Sequence, residues 1–193
     1  MDGFINLNTE RLIIRDHISD DIIQHHELLS NEKAMYYLND IKTHSLEESR
    51  DNLAESIDEI AKMSRTRYFF RIELKNTKEH LGEIGYTVTE ITPFGKLVSL
   101  GYFTHSTFWN NGYVSEAVKE VFRFAFEDND VFRISTGCLK DNIASERVMQ
   151  KCGMTKEAEY KMHTWHYGEM KDRVEYRITK KEWLQYDRIS FHR

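Results

Sequence analysis

Hydrophobic and polar positions along this chain follow helical spacing in some segments and strand spacing in others. Leu12-Ile13-Ile14-Arg15 reads as a short strand. Ser19-Asp20-Asp21 then offers an N-cap with acidic first-turn residues, and Ile22, Ile23, Leu28 and Leu29 follow at helical spacing. Ser45-Leu46-Glu47-Glu48 fits a capping box, and behind it Leu46, Leu53, Ile57, Ile60 and Ala61 mark one helical face to about Met63. Tyr36-Tyr37-Leu38, between these helices, fits neither pattern. From Tyr68 to Leu74 the chain is dense in aromatic and β-branched residues and reads as a strand. After the turn Asn76-Thr77-Lys78-Glu79, Gly82 to Ile91 alternates Ile84, Tyr86 and Val88 against Gly85, Thr87 and Thr89. Thr92-Pro93-Phe94-Gly95 leads into a third strand, Lys96 to Thr104, so an antiparallel meander is expected.

A long helix follows, with Val114, Ala117, Val118, Val121, Phe122, Ala125 and Phe126 on one face. Phe132 to Leu139 is the next strand, and Asp141-Asn142 starts a helix whose apolar side holds Ala144, Val148, Met149 and Cys152. Gly153 ends it as a C′ glycine. Two final strands, Thr155 to His166 and Lys171 to Ile178, are joined near Tyr167-Gly168-Glu169. No linker divides the series, so residues 1–193 read as a single α/β domain with a mixed sheet. The stretch from Lys96 to Gly153 is where a ligand crevice is expected.

Composition narrows the classes. In 193 residues, 40% are hydrophobic and 12% aromatic, enough for a sizeable core and too much for wholesale disorder. Lys+Arg number 27 and Asp+Glu 32, a net charge of -5, which argues against direct nucleic-acid binding. Two cysteines, Cys138 and Cys152, make no disulfide framework, and the start has no signal-peptide pattern. No run of 18 apolar residues exists, so no membrane span is expected and the cytoplasm is the default compartment.

Candidate chemistry centres on Trp109-Asn110-Asn111-Gly112-Tyr113-Val114-Ser115, a loop feeding a helix. Unpaired N–H groups and the positive dipole end at such a helix start suit a phosphate or pyrophosphate. Gly112 lets the backbone approach the ligand, and Ser115 adds a hydroxyl. An ordinary glycine turn is the alternative, and the segment is neither a P-loop nor a GxGxxG fingerprint.

This segment resembles motif A of the GCN5-related N-acetyltransferases (GNAT), most closely the ribosomal-protein N-terminal acetyltransferase (RimJ/RimL-like) branch. Gly101-Tyr102-Phe103 and then Trp109-Asn110-Asn111-Gly112-Tyr113-Val114-Ser115-Glu116-Ala117 are similar to that branch's GY and W-G-x-G-Y-A-x-E-A. Asn142-Ile143-Ala144-Ser145-Glu146-Arg147-Val148 resembles its N-x-x-S-x-R-V, and Thr9-Glu10-Arg11-Leu12 its T-x-R-L start. Tyr167-Gly168 to Tyr176 and Glu182-Trp183 extend the likeness over nearly the whole chain.

The resemblance implies a GNAT fold: a mixed, mostly antiparallel sheet with flanking helices and a splayed parallel strand pair that takes pantetheine. It implies acetyl-CoA as co-substrate. Backbone groups of Tyr102, Phe103 and Thr104 would bind pantetheine and the acetyl carbonyl, and Asn142 would anchor pantetheine from the far side. Capping is the other role open to Asn142.

Three departures from the pattern stand out. Val114 replaces the usual Gly or Ala, Ser99-Leu100 lacks a familiar carboxylate, and Met149 occupies the slot of a family tyrosine that protonates the leaving thiolate. Ser145 is the substitute proton donor, with helix packing as its other reading.

For the general base, His163 and His166 lie on a strand bordering the acceptor site in this fold, and Glu83 would act through water. His163 and His166 point to opposite faces of a regular strand and share no ion, so no metal is expected; His25-His26 reads as a solvated helix face. The expected acceptor is a primary amine attacking the thioester directly: a peptide or protein N-terminus, or a small amine of the polyamine or aminoglycoside kind. A non-catalytic CoA-binding module is the rival, and homodimerisation stays open.

Overall fold

A computed structural model describes residues 3–190, with side chains to Tyr186. In chain order the elements are β1 (Asn6–Asn8), β2 (Leu12–Asp16), α1 (Ile22–Leu29), α2 (Leu46–Ile60), β3 (Arg67–Leu74), β4 (His80–Thr92), β5 (Gly95–Thr104), α3 (Tyr113–Arg123), β6 (Val131–Leu139), α4 (Ile143–Lys151), β7 (Thr155–His166), β8 (Glu169–Thr179) and α5 (Lys180–Ser190). The strands are ordered β1-β2-β3-β4-β5-β6-β8-β7. β5 and β6 pair in parallel, and the other registers described are antiparallel. The mixed sheet expected from the element order, mostly antiparallel as the resemblance implies, is therefore present. Two elements, β1 and α5, extend the expected series at either end.

The chain packs as two compact units, one running up to Thr87 and including Gly101–Glu120, the other made of Val88–Leu100 and everything from Val121 onward. In the first, the two-residue period of β2, β3 and β4 sends Leu12, Ile14, Phe70, Ile72, Ile84 and Tyr86 inward, all essentially without solvent contact. Each such side chain contributes roughly 1.5–3 kcal/mol on burial. Leu28 and Leu29 of α1 join Met35, with Leu38 and Phe103 packed against them, which gives the unplaced Tyr36-Tyr37-Leu38 segment its anchor. α2 begins where the sequence placed it. The Ser45 hydroxyl accepts from Glu48 N–H at 3.1 Å, but the Glu48 carboxylate turns back to His44 N–H at 2.7 Å, one residue earlier than a regular capping box. Ahead of α1, Ser19–Asp21 forms a 3₁₀ turn, and Asp21 rather than Ser19 supplies the bonding oxygen, to Ile18 N–H at 2.9 Å.

In the second unit, Phe126 packs between Phe122 and Trp183, with Val131 and Ile134 of β6 and Val174, Tyr176 and Ile178 of β8 also buried. The helical period of α3 relaxes into a π turn over Phe124–Asp128. Gly153 closes α4 at φ 79°, and any Cβ there would lie 2.8 Å from the Tyr186 ring. α5 starts on a reciprocal cap: Glu182 accepts from Thr179 N–H at 2.9 Å while Thr179 Oγ1 accepts from Glu182 N–H at 3.4 Å. Among the described residues, no helix is long and apolar enough to cross a membrane.

Candidate active site

The loop singled out by sequence lies in the first unit. Trp109 is bonded through Nε1 to the Thr104 carbonyl at 3.3 Å, tying the loop to the end of β5. Asn110 and Gly112 both take left-handed conformations, at φ 62° and 78°, and turn the chain into α3. The Asn111 amide holds the turn by donating to the Phe108 and Trp109 carbonyls at 3.2 and 3.0 Å. Glu116 N–H donates to the Gly112 carbonyl at 3.1 Å, so Gly112 opens the α3 ladder. Val114, in the second position of α3, is half-buried, so the bulkier residue is carried on the helix and the turn itself is left to Gly112.

Arg11 brings positive charge to this helix start. Its Nε pairs with Glu116 at 2.7 Å, Nη1 donates to the Asn111 carbonyl at 3.2 Å, and the guanidinium sits 4.4 Å from the Tyr113 ring centre. Thr9 Oγ1 and Arg11 N–H also reach Glu116, at 2.5 and 2.9 Å, so one carboxylate clasps the chain start to α3. Partial burial acts against that carboxylate, but the Thr9 and Arg11 hydrogen bonds outweigh it and hold Glu116 below the usual range. Gly112, Ser115, Glu116, Lys119 and Glu10 line an open concavity of about 330 Å³. In the sequence Thr9, Arg11 and Glu116 are no more than motif letters; in the structure two motifs separated by 105 residues or more meet on one carboxylate.

Tyr102, Phe103 and Thr104 close β5. Its parallel ladder with β6 stops at Ser99 opposite Ser135, while β5 runs on to Thr104. On the β4 side, Gly82 permits a close approach: a Cβ there would lie 2.3 Å from the Phe103 carbonyl oxygen. Tyr102 and Phe103 are half-buried and Thr104 is buried.

Glu83, next to Gly82, is 7% exposed. It is buried among histidines, 2.6 Å from His25 Nδ1 and 3.8 Å from both His17 Nε2 and His80 Nε2. Burial works to raise its pKa, but the His17 and His25 charges and the His25 hydrogen bond prevail and pull it down to about 2. A carboxylate that acidic is a weak proton acceptor near neutral pH. The expectation for His25 is also corrected. It falls on the apolar stripe of α1 with Leu28 and Leu29, 1% exposed, and is no solvated face. Burial would lower its pKa, yet Glu83, first by charge and then by hydrogen bond, raises it. His26 is half-buried and meets Ser49 Oγ at 2.8 Å. Burial lowers His80 to about 3 and His105 in the same direction.

In the second unit, Asn142 caps α4, its Oδ1 accepting from Ser145 N–H at 3.2 Å. The Ser145 hydroxyl is hydrogen-bonded to the Cys138 thiol, which burial pushes up to about 11 against that bond. Met149 is buried. Tyr176 donates to Glu146 at 2.8 Å beside α4. His163 is exposed at a bulge of β7, Nδ1 3.2 Å from Thr164 Oγ1, while His166 is buried. The bulge makes β7 irregular over Tyr160–Thr164, just before His166.

Residues 11–155 match the acetyltransferase (GNAT) domain family, and the chain belongs to it. Its relatives include an uncharacterized N-acetyltransferase, YoaA, of Bacillus subtilis, 27% identical over 90% of this chain and 96% of that one. The fold is shared with the Salmonella typhimurium acetyltransferase that modifies the N-terminal serine of ribosomal protein L7/L12, at TM-score 0.76 and 21% identity over 91% of this chain and 99% of that one. It is shared equally with a Vibrio cholerae spermidine N-acetyltransferase in complex with CoA and spermine, at TM-score 0.78 and 16% identity over 91% and 99%. This chain is thus a GNAT-type acetyltransferase, an enzyme class that uses acetyl-CoA.

Proposed function

We propose that the enzyme transfers acetyl from acetyl-CoA to a protein N-terminal α-amine by direct attack. The pyrophosphate is assigned to the α3 start, where the helix dipole and Arg11 favour anionic oxygens. Gly112 and its neighbours Trp109, Asn110, Asn111, Tyr113, Val114 and Ser115 form that cradle, and backbone of Tyr102–Thr104 past the end of the parallel ladder is assigned to pantetheine and the thioester carbonyl. Asn142 is assigned to pantetheine through its amide N–H₂, because its carbonyl oxygen already caps α4. The neutral amine attacks the carbonyl carbon, His163 takes the amine proton, and the collapsing intermediate releases thiolate, which Ser145 protonates.

The acceptor assignment is carried by the weakness of the bases on hand. Glu83 is buried and engaged by His25 at 2.6 Å, and His163 is an exposed surface histidine. An α-amine with a pKa of about 7.7–8.0 needs only modest help, whereas a lysine-like amine near 10.4 needs much more. Competition decides between them: peptides with free N-termini, the same peptides N-terminally blocked but carrying lysine, and spermidine are offered together. Preferential turnover of the free N-termini is expected. Preference for blocked lysine peptides or spermidine would overturn the acceptor, and CoA release without any amine preference would favour a non-catalytic CoA-binding module.

A further inference from the structure

We propose that His17, His25 and Glu83 form a binding site for one first-row divalent metal ion of the zinc type, buried in the first unit. One ligand atom from each residue lies within 4.8 Å of the others, and all three residues are buried. Glu83 is the hub: Oε1 is 2.6 Å from His25 Nδ1 and Oε2 is 3.8 Å from His17 Nε2. Metal–ligand bonds of about 2.0–2.1 Å place neighbouring donors about 2.9–3.4 Å apart. The first separation must open and the second close, each by less than about 1 Å, and the two imidazole donors, within 4.8 Å of each other, must also draw together around the ion.

His17 is the observation that asks for a ligand. It is 2% exposed, and neither of its ring nitrogens has a hydrogen-bond partner. Buried imidazole nitrogens are costly to leave unsatisfied. His25 also has the outer partner usual at a histidine metal site. His25 Nε2 is 3.1 Å from Asn52 Oδ1, which fixes the ring with Nδ1 toward Glu83. His17 Nδ1 is 3.6 Å from Asp21 Oδ2, leaving Nε2 toward Glu83. His80 Nε2 lies as near, 3.8 Å from Glu83 Oε1, but is already engaged with the Gly82 carbonyl at 3.1 Å. Access is present as well: His17 lines an open concavity of about 740 Å³ with Ile18, Ser19, Ile57 and Ile60.

The donor set selects the ion. Two imidazoles and one carboxylate suit zinc, iron(II), cobalt(II) or nickel(II), whereas calcium and magnesium prefer all-oxygen shells. Bound there, the ion would cross-link the segment after β2, helix α1 and strand β4, the elements that carry the three ligands.

The test uses the full chain stripped with chelator. Calorimetry with Zn²⁺ and visible absorption with Co²⁺ should each report one equivalent, and Zn²⁺ but not Mg²⁺ should raise Tm. His17→Gln should abolish the saturable equivalent, Asn52→Ala should weaken it about 10–100-fold by freeing the His25 ring, and His44→Gln, at an exposed histidine, should leave it intact. Wild-type protein that takes up no stoichiometric Zn²⁺, or uptake indifferent to both His17→Gln and Asn52→Ala, would overturn the site. Should His17→Gln fail to fold, Asn52→Ala and the Tm response of the wild type decide alone. The acetyl-transfer competition above is read in chelator, so the two proposals fail separately.

Discussion

Ser145 carries two duties within reach of one hydroxyl. Its N–H receives the Asn142 cap and its hydroxyl meets Cys138, so it is bound into the α4 start whether or not it serves chemistry. If it protonates the thiolate, Ser145→Ala lowers kcat roughly 10²–10⁴-fold while acetyl-CoA affinity, measured by calorimetry, barely moves; a near-normal kcat returns it to a structural role. Glu59 is a residue of the opposite kind, with a role in stability alone. It accepts from Thr66 and Arg67 N–H, both at 3.0 Å, and pairs with Lys62. Burial opposes the charge, but these partners hold its pKa down to about 2. A carboxylate depressed on folding stabilises above its unfolded pKa, about 4.3, and loses that contribution as pH falls through the folded value. Glu59→Gln is therefore expected to cost about 1–2 kcal/mol at neutral pH, with the gap to wild type in urea unfolding closing between about pH 4.3 and 2. A gap that stays constant across that window would show the charge to be irrelevant. Neither role was fully legible in sequence. Ser145 stood out by its motif, whereas Glu59 is one acid among several on α2 and only the returning chain at residues 66–67 distinguishes it. His25 was legible in principle, since it shares a helical stripe with Leu28 and Leu29, but the residue type suggested a surface. Its partner Glu83 lies 58 residues away, beyond any local pattern.

At the scale of elements, the α3 start is where a small backbone change should be felt most. Gly112→Ala would place a methyl group at φ 78° with only Arg11 Nη2 nearby, at 3.7 Å. There is room for it, so the cost is conformational, about 1–2 kcal/mol. The methyl group also intrudes on the anion cradle. Acetyl-CoA affinity by calorimetry should fall at least about tenfold, the equivalent of 1.4 kcal/mol, in a protein that still melts cooperatively. Unchanged affinity would remove the pyrophosphate from this loop. The strands β3 to β5 and helices α2 to α4 were readable because period and caps agree in them. β1 was not: it is three residues long, with Asn6 and Asn8 flanking a single buried Leu7. α5 was missed despite its signal, for Thr179-Lys180-Lys181-Glu182 spells the same cap that marked α2, and the structure shows both of its hydrogen bonds. It was overlooked because β8 runs directly into it with no intervening loop.

At the scale of the whole molecule, neither compact unit is a continuous stretch of sequence. The first takes residues up to Thr87 and then Gly101–Glu120; the second begins with Val88–Leu100 and resumes at Val121. β4, β5 and α3 each pass from one unit to the other. This interleaving governs the order in which the protein takes shape as it is made. Ending synthesis at Thr87 omits Glu116, and with it the carboxylate that holds Thr9 and Arg11. A nascent chain ending there should stay sensitive to protease, while one extended past Glu120 should become resistant over its first 87 residues, as read by limited proteolysis of stalled chains. Equal protection at both lengths would show that the clasp is dispensable. The second unit waits longer still, because β6 finds β8 only once residue 179 has emerged. Exposed strands must survive that delay during translation, at about 5–20 residues per second, so the ribosome's pace becomes part of how safely this enzyme folds.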